Sequence, residues 1–204
     1  MYKRQVKIRT LELLSVFDML CLVILIIIQT LTAMKMSVLN KLLEQRAYTD
    51  AHTGLPNKGA CEVLLKNKET VEKHTACIMF DLNNLKIIND TKGHSKGDQL
   101  ILNFARFLRN IIPKEAFVGR YGGDEFMVVI YNTSKTEIED ILMQLSREKD
   151  SLNSRGNDMP IDYACGWAIS DADGECTIQM LLDKADYYMY ENKQSRKKSM
   201  QSTK

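Results

Sequence analysis

The stretch Arg120-Tyr121-Gly122-Gly123-Asp124-Glu125-Phe126 lies between two segments of the 204-residue chain that have the composition of strands. These segments, 117–121 and 126–131, predict two strands joined by a hairpin turn. Adjacent glycines permit positive φ and let backbone amides approach a phosphate without interference from a Cβ atom. Because Gly-Gly is also a standard two-residue hairpin turn, only the acids that follow it favour a functional interpretation.

Another acid precedes the hairpin, in Phe80-Asp81-Leu82-Asn83-Asn84. The apolar residues of 76–82 predict a strand at the centre of the sheet. A fold that pairs this strand with the hairpin would bring Asp81 close to Asp124 and Glu125. Mg²⁺ takes one or two carboxylates plus substrate phosphates, and metal bridging of phosphate oxygens assists phosphoryl transfer. The structural alternative is that Asp81 caps the following helix and Asp124 only forms the turn.

A polar segment over 86–98 reads Lys-Ile-Ile-Asn-Asp-Thr-Lys-Gly-His-Ser-Lys-Gly-Asp. Its acid and amide groups suit a purine, because a carboxylate accepts hydrogen bonds from guanine N1–H and the exocyclic amine, and an amide serves the O6 and N3 edges. Asp98 is equally a good N-cap for a helix over 98–111, and Asn89 a good turn residue. The residues alone leave both interpretations open.

Hydrophobic periodicity predicts the remaining elements. They are helices over 58–68, 98–111, 136–149 and 177–193 and a strand over 161–169. Ser134 or Thr136 is a suitable N-cap for the helix over 136–149. Because helices alternate with strands and one pair of strands is a hairpin, we expect an α+β sandwich, with a mixed or antiparallel sheet covered by helices.

Composition and absent motifs argue against several functional classes. A formal net charge of +2 gives no electrostatic case for a nucleic-acid partner. The five scattered cysteines include no Cys-x-x-Cys pair and no His at zinc-finger spacing, so they predict reduced thiols in a cytoplasmic domain. Neither a P-loop sequence nor Gly-x-Ser-x-Gly occurs, which argues against P-loop kinases and GTPases and against acyl transfer.

Residues 1–35 contain an apolar block over 11–34 that predicts a transmembrane helix. A helix of about 18 to 20 residues is about 27 to 30 Å long, enough to cross a bilayer core. Asp18 is unfavourable there, but about a dozen large apolar residues outweigh it. The alternative is a helix at the membrane interface or packed against a partner. Basic residues slightly favour an inside N-terminus: Lys3, Arg4, Lys7 and Arg9 precede the block, and Lys35, Lys41 and Arg46 follow it.

Residues 36–48 predict an amphipathic connecting helix. The residues that would share its apolar face are Met36, Leu39, Leu42 and Leu43. This face would pack either against a second copy of the chain or against its own domain. The turn-rich segment 50–57, with Gly54, Pro56 and Asn57, ends the helix and marks the domain boundary.

Together these segments resemble the GGDEF family of diguanylate cyclases over residues 48–197. The matching segments, in the family's order, are 49–58 (Thr-Asp-Ala-His-Thr-Gly-Leu-Pro-Asn-Lys), 80–98, 122–126 (Gly-Gly-Asp-Glu-Phe) and 185–193 (Ala-Asp-Tyr-Tyr-Met-Tyr-Glu-Asn-Lys). The resemblance implies a nucleotidyl cyclase-like fold with a ferredoxin-like core and a mostly antiparallel, five-stranded-type sheet. It implies a domain over 49–197, followed by a polar tail over 198–204.

The resemblance also implies roles for the matching residues. Mg²⁺, or Mn²⁺ in its place, would be bound by Asp81, Asp124 and the Leu82 carbonyl. GTP would be contacted by Asn89 and Asp98 at guanine, with His94 shaping that pocket, and by Gly122, Gly123, Lys193 and Lys197 at the phosphates. The catalytic groups would be Glu125 as the base for the attacking 3′-hydroxyl, Lys86 as a stabiliser of charge on the reacting phosphate, and Asp124 through the metal.

The implied reaction condenses two GTP molecules into cyclic di-GMP and two pyrophosphates. Each domain would hold one GTP, so a homodimer is part of the mechanism. The domain would lie in the cytoplasm, tethered to the inner membrane by the N-terminal helix or free if that helix does not span; the basic bias conflicts with the tethered arrangement. Two alternatives stay open: a catalytically silent module that binds GTP or cyclic di-GMP, and a cyclase that makes cyclic GMP-AMP, against which Asp98 favours guanine.

The chain also departs from the family pattern. Asn83 and Leu85 stand where many members have Asp and Phe, which should tune metal binding rather than abolish it. Arg196-Lys197 replaces a Gly-Arg pair, and of the two Lys197 fits the spacing better as the residue that meets phosphate. Pro113-Lys114-Glu115-Ala116 stands where an inhibitory Arg-x-x-Asp would lie, so we expect no product inhibition through that site.

Overall fold

The N-terminal part of the chain is one helix. The computed structural model describes residues 2–66, 70, 71, 74–156, 158–170 and 176–201, and the chain divides into two compact units, 1–47 and 48–204. Helix α1 spans Tyr2–Tyr48 without a break, because no glycine or proline precedes Gly54 to end it. It therefore contains both the apolar block and the predicted connecting helix.

At residues 14 and 16–34, where the structure describes the side chains of the apolar block, the large apolar side chains of α1 are exposed. By length and composition, Val16–Tyr48 is able to cross a membrane. Its 33 residues are about 50 Å long at about 1.5 Å per residue, more than a bilayer core of about 30 Å.

The second unit is a sheet covered by helices. Its elements are α2 (Lys58–Lys66), β1 (Ala76–Leu82), α3 (Leu85–Lys92), α4 (His94–Ile111), β2 (Phe117–Arg120), β3 (Glu125–Ile130), α5 (Lys135–Ser154), β4 (Tyr163–Ile169) and α6 (Ile178–Gln201). The strands lie in the order β2-β3-β1-β4, and every neighbouring pair is antiparallel. This order, with β1 central and helices in the crossovers, confirms the predicted α+β class and ferredoxin-like core.

The two faces of the sheet bury different residues because side chains alternate along each strand. Phe80 of β1 belongs to the core beneath α4 and α5, where the Phe104 and Phe126 ring centroids lie 5.0 Å apart. Met79 faces the opposite side, in a second cluster with Leu181 of α6. The strand that ends at Asp81 and Leu82 is therefore held on both faces.

Helix α6 approaches β4 closely at Gly166. A Cβ atom there would lie 2.1 Å from Met189 N and 2.3 Å from the Ala185 carbonyl oxygen, so no larger residue fits without moving the helix. Leu181, Ala185 and Met189 recur at helical spacing and face the sheet. This contact fixes the helix that carries Lys193 one turn further on.

The elements differ from the sequence predictions in three details. The described residues form four strands rather than a five-stranded-type sheet. Helix α6 continues to Gln201 rather than ending at Lys193, because no glycine or proline follows Gly174 in the sequence. Helix α4 begins at His94 rather than Asp98, since the Gly93 carbonyl accepts the Lys96 and Gly97 amides and starts the helix earlier.

Capping of α5 follows the prediction. The Ser134 side chain accepts the Glu137 amide, and the Glu137 carboxylate accepts the Ser134 amide at 2.8 Å, which forms a capping box. The hairpin differs in its turn, because residues 121–124 separate β2 from β3 where Gly-Gly alone predicts a two-residue turn.

Candidate active site

The ends of β1 and β3 bring three carboxylates to one edge of the sheet. Asp81 lies opposite Glu125 in the antiparallel register, and the Leu82 amide donates to the Asp124 carbonyl at 2.9 Å. Asp81 is 8% exposed. It does not cap the next helix, because the N-cap of α3 is Asn84 in the left-handed conformation with φ 64°. The structural alternative for Asp81 is therefore excluded.

Lys193 of α6 completes this group. Its Nζ donates to both Asp81 carboxylate oxygens at 2.7 Å. The contact joins residues 112 positions apart in the sequence and depends on the close packing of α6 on Gly166. A predicted phosphate ligand and a predicted metal ligand are thus direct partners in the structure.

Glu125 lies in a negative environment. Burial raises the pKa of its carboxyl group, and the carboxylates of Asp124, Asp81 and Asp186 raise it further, while Lys193 opposes them. Glu125 therefore takes up a proton more readily than an ordinary glutamate does, which suits a general base. Asp186 was not singled out from the sequence, although it lies within the motif 185–193.

The two glycines of the hairpin have different surroundings. A Cβ atom on Gly122 would lie 2.5 Å from Glu125 Oε2, whereas one on Gly123 would meet nothing within 4 Å. Neither glycine adopts the positive φ that adjacent glycines permit. Gly122 therefore makes room for the Glu125 carboxylate, and Gly123 leaves the hairpin backbone open to a ligand.

Arg120 holds the hairpin against the turn of residues 49–57, called the opening turn below. Its Nη2 donates to the Gly123 carbonyl at 2.8 Å, and its Nη1 donates to both Asp50 carboxylate oxygens at 3.2 Å. Asp50 also accepts hydrogen bonds from Thr53 N at 2.8 Å and Thr53 Oγ1 at 2.7 Å. Burial alone would raise the pKa of Asp50, but Thr53 and the Arg120 guanidinium outweigh it and lower the pKa.

A second group of predicted site residues lies on α3 and α4. Asn89 is half-buried on α3, and a Cβ atom on Gly97 would lie 1.9 Å from its Oδ1, so its amide rests on the first turn of α4. Asp98 follows Gly97 and is exposed, as is His94 at the start of the helix. The structure thus brings Asn89 beside the residue preceding Asp98.

The opening turn also contacts this second group. His52 Nε2 lies 2.8 Å from the Asp98 carbonyl oxygen and donates to it. Sequence reasoning missed the roles of His52, Asp50 and Arg120, although all three lie in quoted motifs. The signal that could have predicted the contact between Asp50 and Arg120 is their opposite charge, since each lies in a turn-rich segment.

The remaining predicted residues are less constrained. Lys86 is exposed on α3. Lys197 and Arg196 belong to α6, but their side chains lie outside the described part of the structure. Asn83, the departure from Asp, donates from Nδ2 to Asp162 Oδ2 at 2.9 Å, so it anchors the chain before β4.

The donor set suits a hard divalent cation. Asp81, Asp124 and the Leu82 carbonyl are oxygen ligands, which Mg²⁺ prefers. Within the described residues no group of three His, Cys, Asp or Glu side chains is arranged to hold a metal alone. Mg²⁺ takes one or two protein carboxylates and completes its shell with water and phosphate.

The fold and site define an α+β domain with an acidic site at the ends of its central strands. Residues 47–199 match the family described as diguanylate cyclase, GGDEF domain. The chain therefore belongs to the GGDEF family.

The relatives that match this chain include proteins named as diguanylate cyclases and one named as a cyclic di-GMP phosphodiesterase. Diguanylate cyclase DgcP of Escherichia coli is 31% identical over 170 residues, covering 78% of this chain and 48% of DgcP. The cyclic di-GMP phosphodiesterase PdeB of Shewanella oneidensis is 32% identical over 147 residues, covering 71% of this chain and 17% of PdeB. The chain spans less than half the length of several curated relatives that it matches, between 20% and 48%.

A solved structure has the same fold. The GGDEF domain of DgcB from Caulobacter crescentus, in complex with c-di-GMP, is 25% identical with a TM-score of 0.62. The match covers 73% of this chain and 91% of the DgcB domain chain. The prediction of the family and of its fold from the sequence motifs is confirmed.

Proposed function

We propose that this chain is a diguanylate cyclase that condenses two GTP molecules into cyclic di-GMP and two pyrophosphates. The observation that carries the proposal is the convergence of Asp81, Asp124 and Glu125 at the paired ends of β1 and β3, beside Lys193. Phosphoryl transfer depends on positioning and on stabilising charge around the reacting phosphate, and this group offers both.

In this proposal the phosphates lie over the hairpin. Asp81, Asp124 and the Leu82 carbonyl would hold Mg²⁺, which supplies neutralisation of charge on the phosphate oxygens. Gly123 presents an open backbone, since a side-chain atom there meets nothing within 4 Å. Burial and then the neighbouring carboxylates raise the pKa of Glu125, which favours its role as acceptor of the 3′-hydroxyl proton. The exposed Lys86 would neutralise charge on the α-phosphate.

The guanine base would lie against α3 and α4. The Asn89 amide and Asp98 carboxylate would read its edges, with His94 beside them. Helix α3 begins just after β1. At about 1.5 Å per residue, Asn89 lies about 6 Å along the helix axis from the start of α3. The residues proposed to contact the base therefore follow Asp81 in the chain, whereas the hairpin and α6 supply the other contacts to the phosphates.

Catalysis would need a second copy of the chain. Each 3′-oxygen attacks the α-phosphorus of the GTP held by the other copy, a new phosphodiester bond forms, and pyrophosphate leaves with the electrons of the broken bond. Holding both nucleotides in line replaces a bimolecular encounter. We also propose that α1 tethers the domain to a membrane, because its exposed apolar side chains would be covered by lipid.

A second candidate function is binding without turnover. A region of this family occurs in a protein named a cyclic di-GMP phosphodiesterase, and the DgcB domain was solved with c-di-GMP bound. The three carboxylates favour the enzyme, because a module that only binds has no need of them all.

Incubation of purified protein with GTP and Mg²⁺, followed by chromatography, tests the proposal. We expect cyclic di-GMP and pyrophosphate in a 1:2 ratio, and no product from Asp124→Asn assayed in parallel. GTP binding without any cyclic product, at protein concentrations where the chain is dimeric, would favour the silent module. Incorporation of ATP into the product would contradict guanine selection by Asn89 and Asp98.

A further inference from the structure

The carboxylate of Asp81 is fully engaged by one ammonium group. Lys193 Nζ lies 2.7 Å from each of its two oxygens, and the Asp81 side chain is 11% exposed against 33% for Lys193. Charge-assisted hydrogen bonds of this length are among the stronger side-chain contacts. Lys193 is thus the counter-ion of a nearly buried carboxylate.

This contact conflicts with metal binding at the same oxygens. A divalent cation on either oxygen of Asp81 would lie beside the ammonium group and be repelled by it. Glu125 and Asp124 raise the local negative charge, but they do not remove Lys193 from Asp81. The ammonium and the metal therefore compete for one carboxylate.

The lysine is able to leave without moving its helix. Helix α6 is fixed by Met189 and Ala185 against Gly166, whereas the ammonium of Lys193 lies at the end of a flexible four-carbon stem. A triphosphate above the hairpin carries more negative charge than one carboxylate. It would draw the ammonium off Asp81 while the backbone stays in place.

We propose that Lys193 is an exchangeable counter-ion, which keeps divalent metal off Asp81 until a nucleoside triphosphate draws the ammonium to its phosphates. Metal and nucleotide then bind together, and Asp81 is not loaded with metal beforehand. This inference rests on the proposed function, because it takes the triphosphate as the competing anion.

Thermal unfolding of the full chain with Mn²⁺ in the absence of nucleotide tests the exchange. A ligand that binds only the folded state raises the midpoint in proportion to the logarithm of its concentration above Kd. For wild type we expect little shift across millimolar Mn²⁺. For Lys193→Met we expect a lower midpoint of thermal unfolding than for wild type in EDTA, and a clear rise of that midpoint with Mn²⁺. The apparent affinity of this variant for Mn²⁺ should be at least about 10-fold higher than that of wild type.

Matched variants separate this exchange from general effects. Lys184→Met removes a positive charge from the exposed side of the same helix and should respond to Mn²⁺ as wild type does. Lys193→Arg keeps a cation and should also exclude Mn²⁺. Adding Asp81→Asn to Lys193→Met should abolish the gained response. If Lys193→Met does not fold, Mn²⁺ binding to the wild type and to Lys193→Arg, measured by electron paramagnetic resonance, replaces the melt.

A second titration supplies the nucleotide. With a non-hydrolysable GTP analogue present, wild type should gain the Mn²⁺ response that it lacks alone. Mn²⁺ affinity of nucleotide-free wild type equal to that of Lys193→Met would overturn the exchange. Failure of the proposed function has a different signature: no cyclic di-GMP from GTP, whatever the metal titrations show.

Discussion

The two halves of the candidate site are built differently. The phosphate end, made of Asp81, Asp124, Glu125 and Lys193, is fixed by strand register and by an ion pair between a nearly buried carboxylate and α6. The base end, made of Asn89, His94 and Asp98, lies on two helices, and two of its three side chains are exposed. The fold therefore depends on the phosphate end for charge balance, whereas in the proposed function the exposed side chains of the base end serve the ligand.

The largest expected effect comes from the phosphate end. Asp124→Asn should lower cyclic di-GMP formation by more than about a hundredfold, since loss of even indirect support for a metal ligand reduces activity about 10- to 100-fold. The unfolding midpoint should stay the same or rise, because one of the carboxylates that crowd Glu125 becomes neutral. Product chromatography and a thermal melt measure both. Turnover close to wild type would reassign Asp124.

At the base end, binding should change without a change in stability. Asp98→Ala should raise the KM for GTP about 10- to 100-fold, the equivalent of a lost hydrogen bond to a charged group. Its free energy of unfolding should stay within about 0.5 kcal/mol of wild type, as for other exposed positions. Steady-state kinetics and urea unfolding test this, and a lower stability with unchanged KM would mean that Asp98 is structural.

A pair of glycine substitutions compares the two ends directly. Gly123→Ala adds a methyl group where nothing lies within 4 Å, so stability should be unchanged while kcat falls about 10-fold if phosphates approach the hairpin. Gly97→Ala places a Cβ atom 1.9 Å from Asn89 Oδ1, so it should displace that amide and raise KM. Equal effects of the two variants on kcat and KM would remove the distinction between the ends.

The smallest effect concerns the opening turn that contacts both ends. Asp50→Asn should lower stability by about 1 to 2 kcal/mol at neutral pH, because it weakens hydrogen bonds to Thr53 and Arg120. The pKa of Asp50 is lowered in the folded state, so its contribution is present above the unfolded value of about 3.9 and is lost as the pH falls through the lower, folded value. Urea unfolding across this range should show the two proteins converging in acid. A constant difference at all pH values would exclude the charge of Asp50 as the cause.

Local sequence features predicted β1 and the pairing of its acid with the hairpin. The uninterrupted apolar run before Asp81 is typical of a central strand, and the two acids lie in motifs of known order. The start of α4 was less predictable, because Asp98 is a strong N-cap and Gly97 a weak helix former, while hydrogen bonds to the Gly93 carbonyl begin the helix at His94.

The contacts that hold the site together could not be predicted. His52 and Asp98 are 46 positions apart, and Asp50 and Arg120 are 70 positions apart. No periodicity or local propensity encodes such pairs. They depend on how the opening turn packs against the hairpin and α4, which only the folded chain fixes.

The most direct test is the rate of cyclic di-GMP formation from GTP and Mg²⁺ per amount of protein, measured across a dilution series beside Asp124→Asn. We expect the wild type to make cyclic di-GMP, with a rate per protein that rises with concentration as two copies assemble one site, and Asp124→Asn to stay at background. Absence of cyclic di-GMP at every concentration would contradict the assignment as a cyclase. A rate per protein that stays constant in a chain shown to be monomeric by light scattering would contradict the two-copy site.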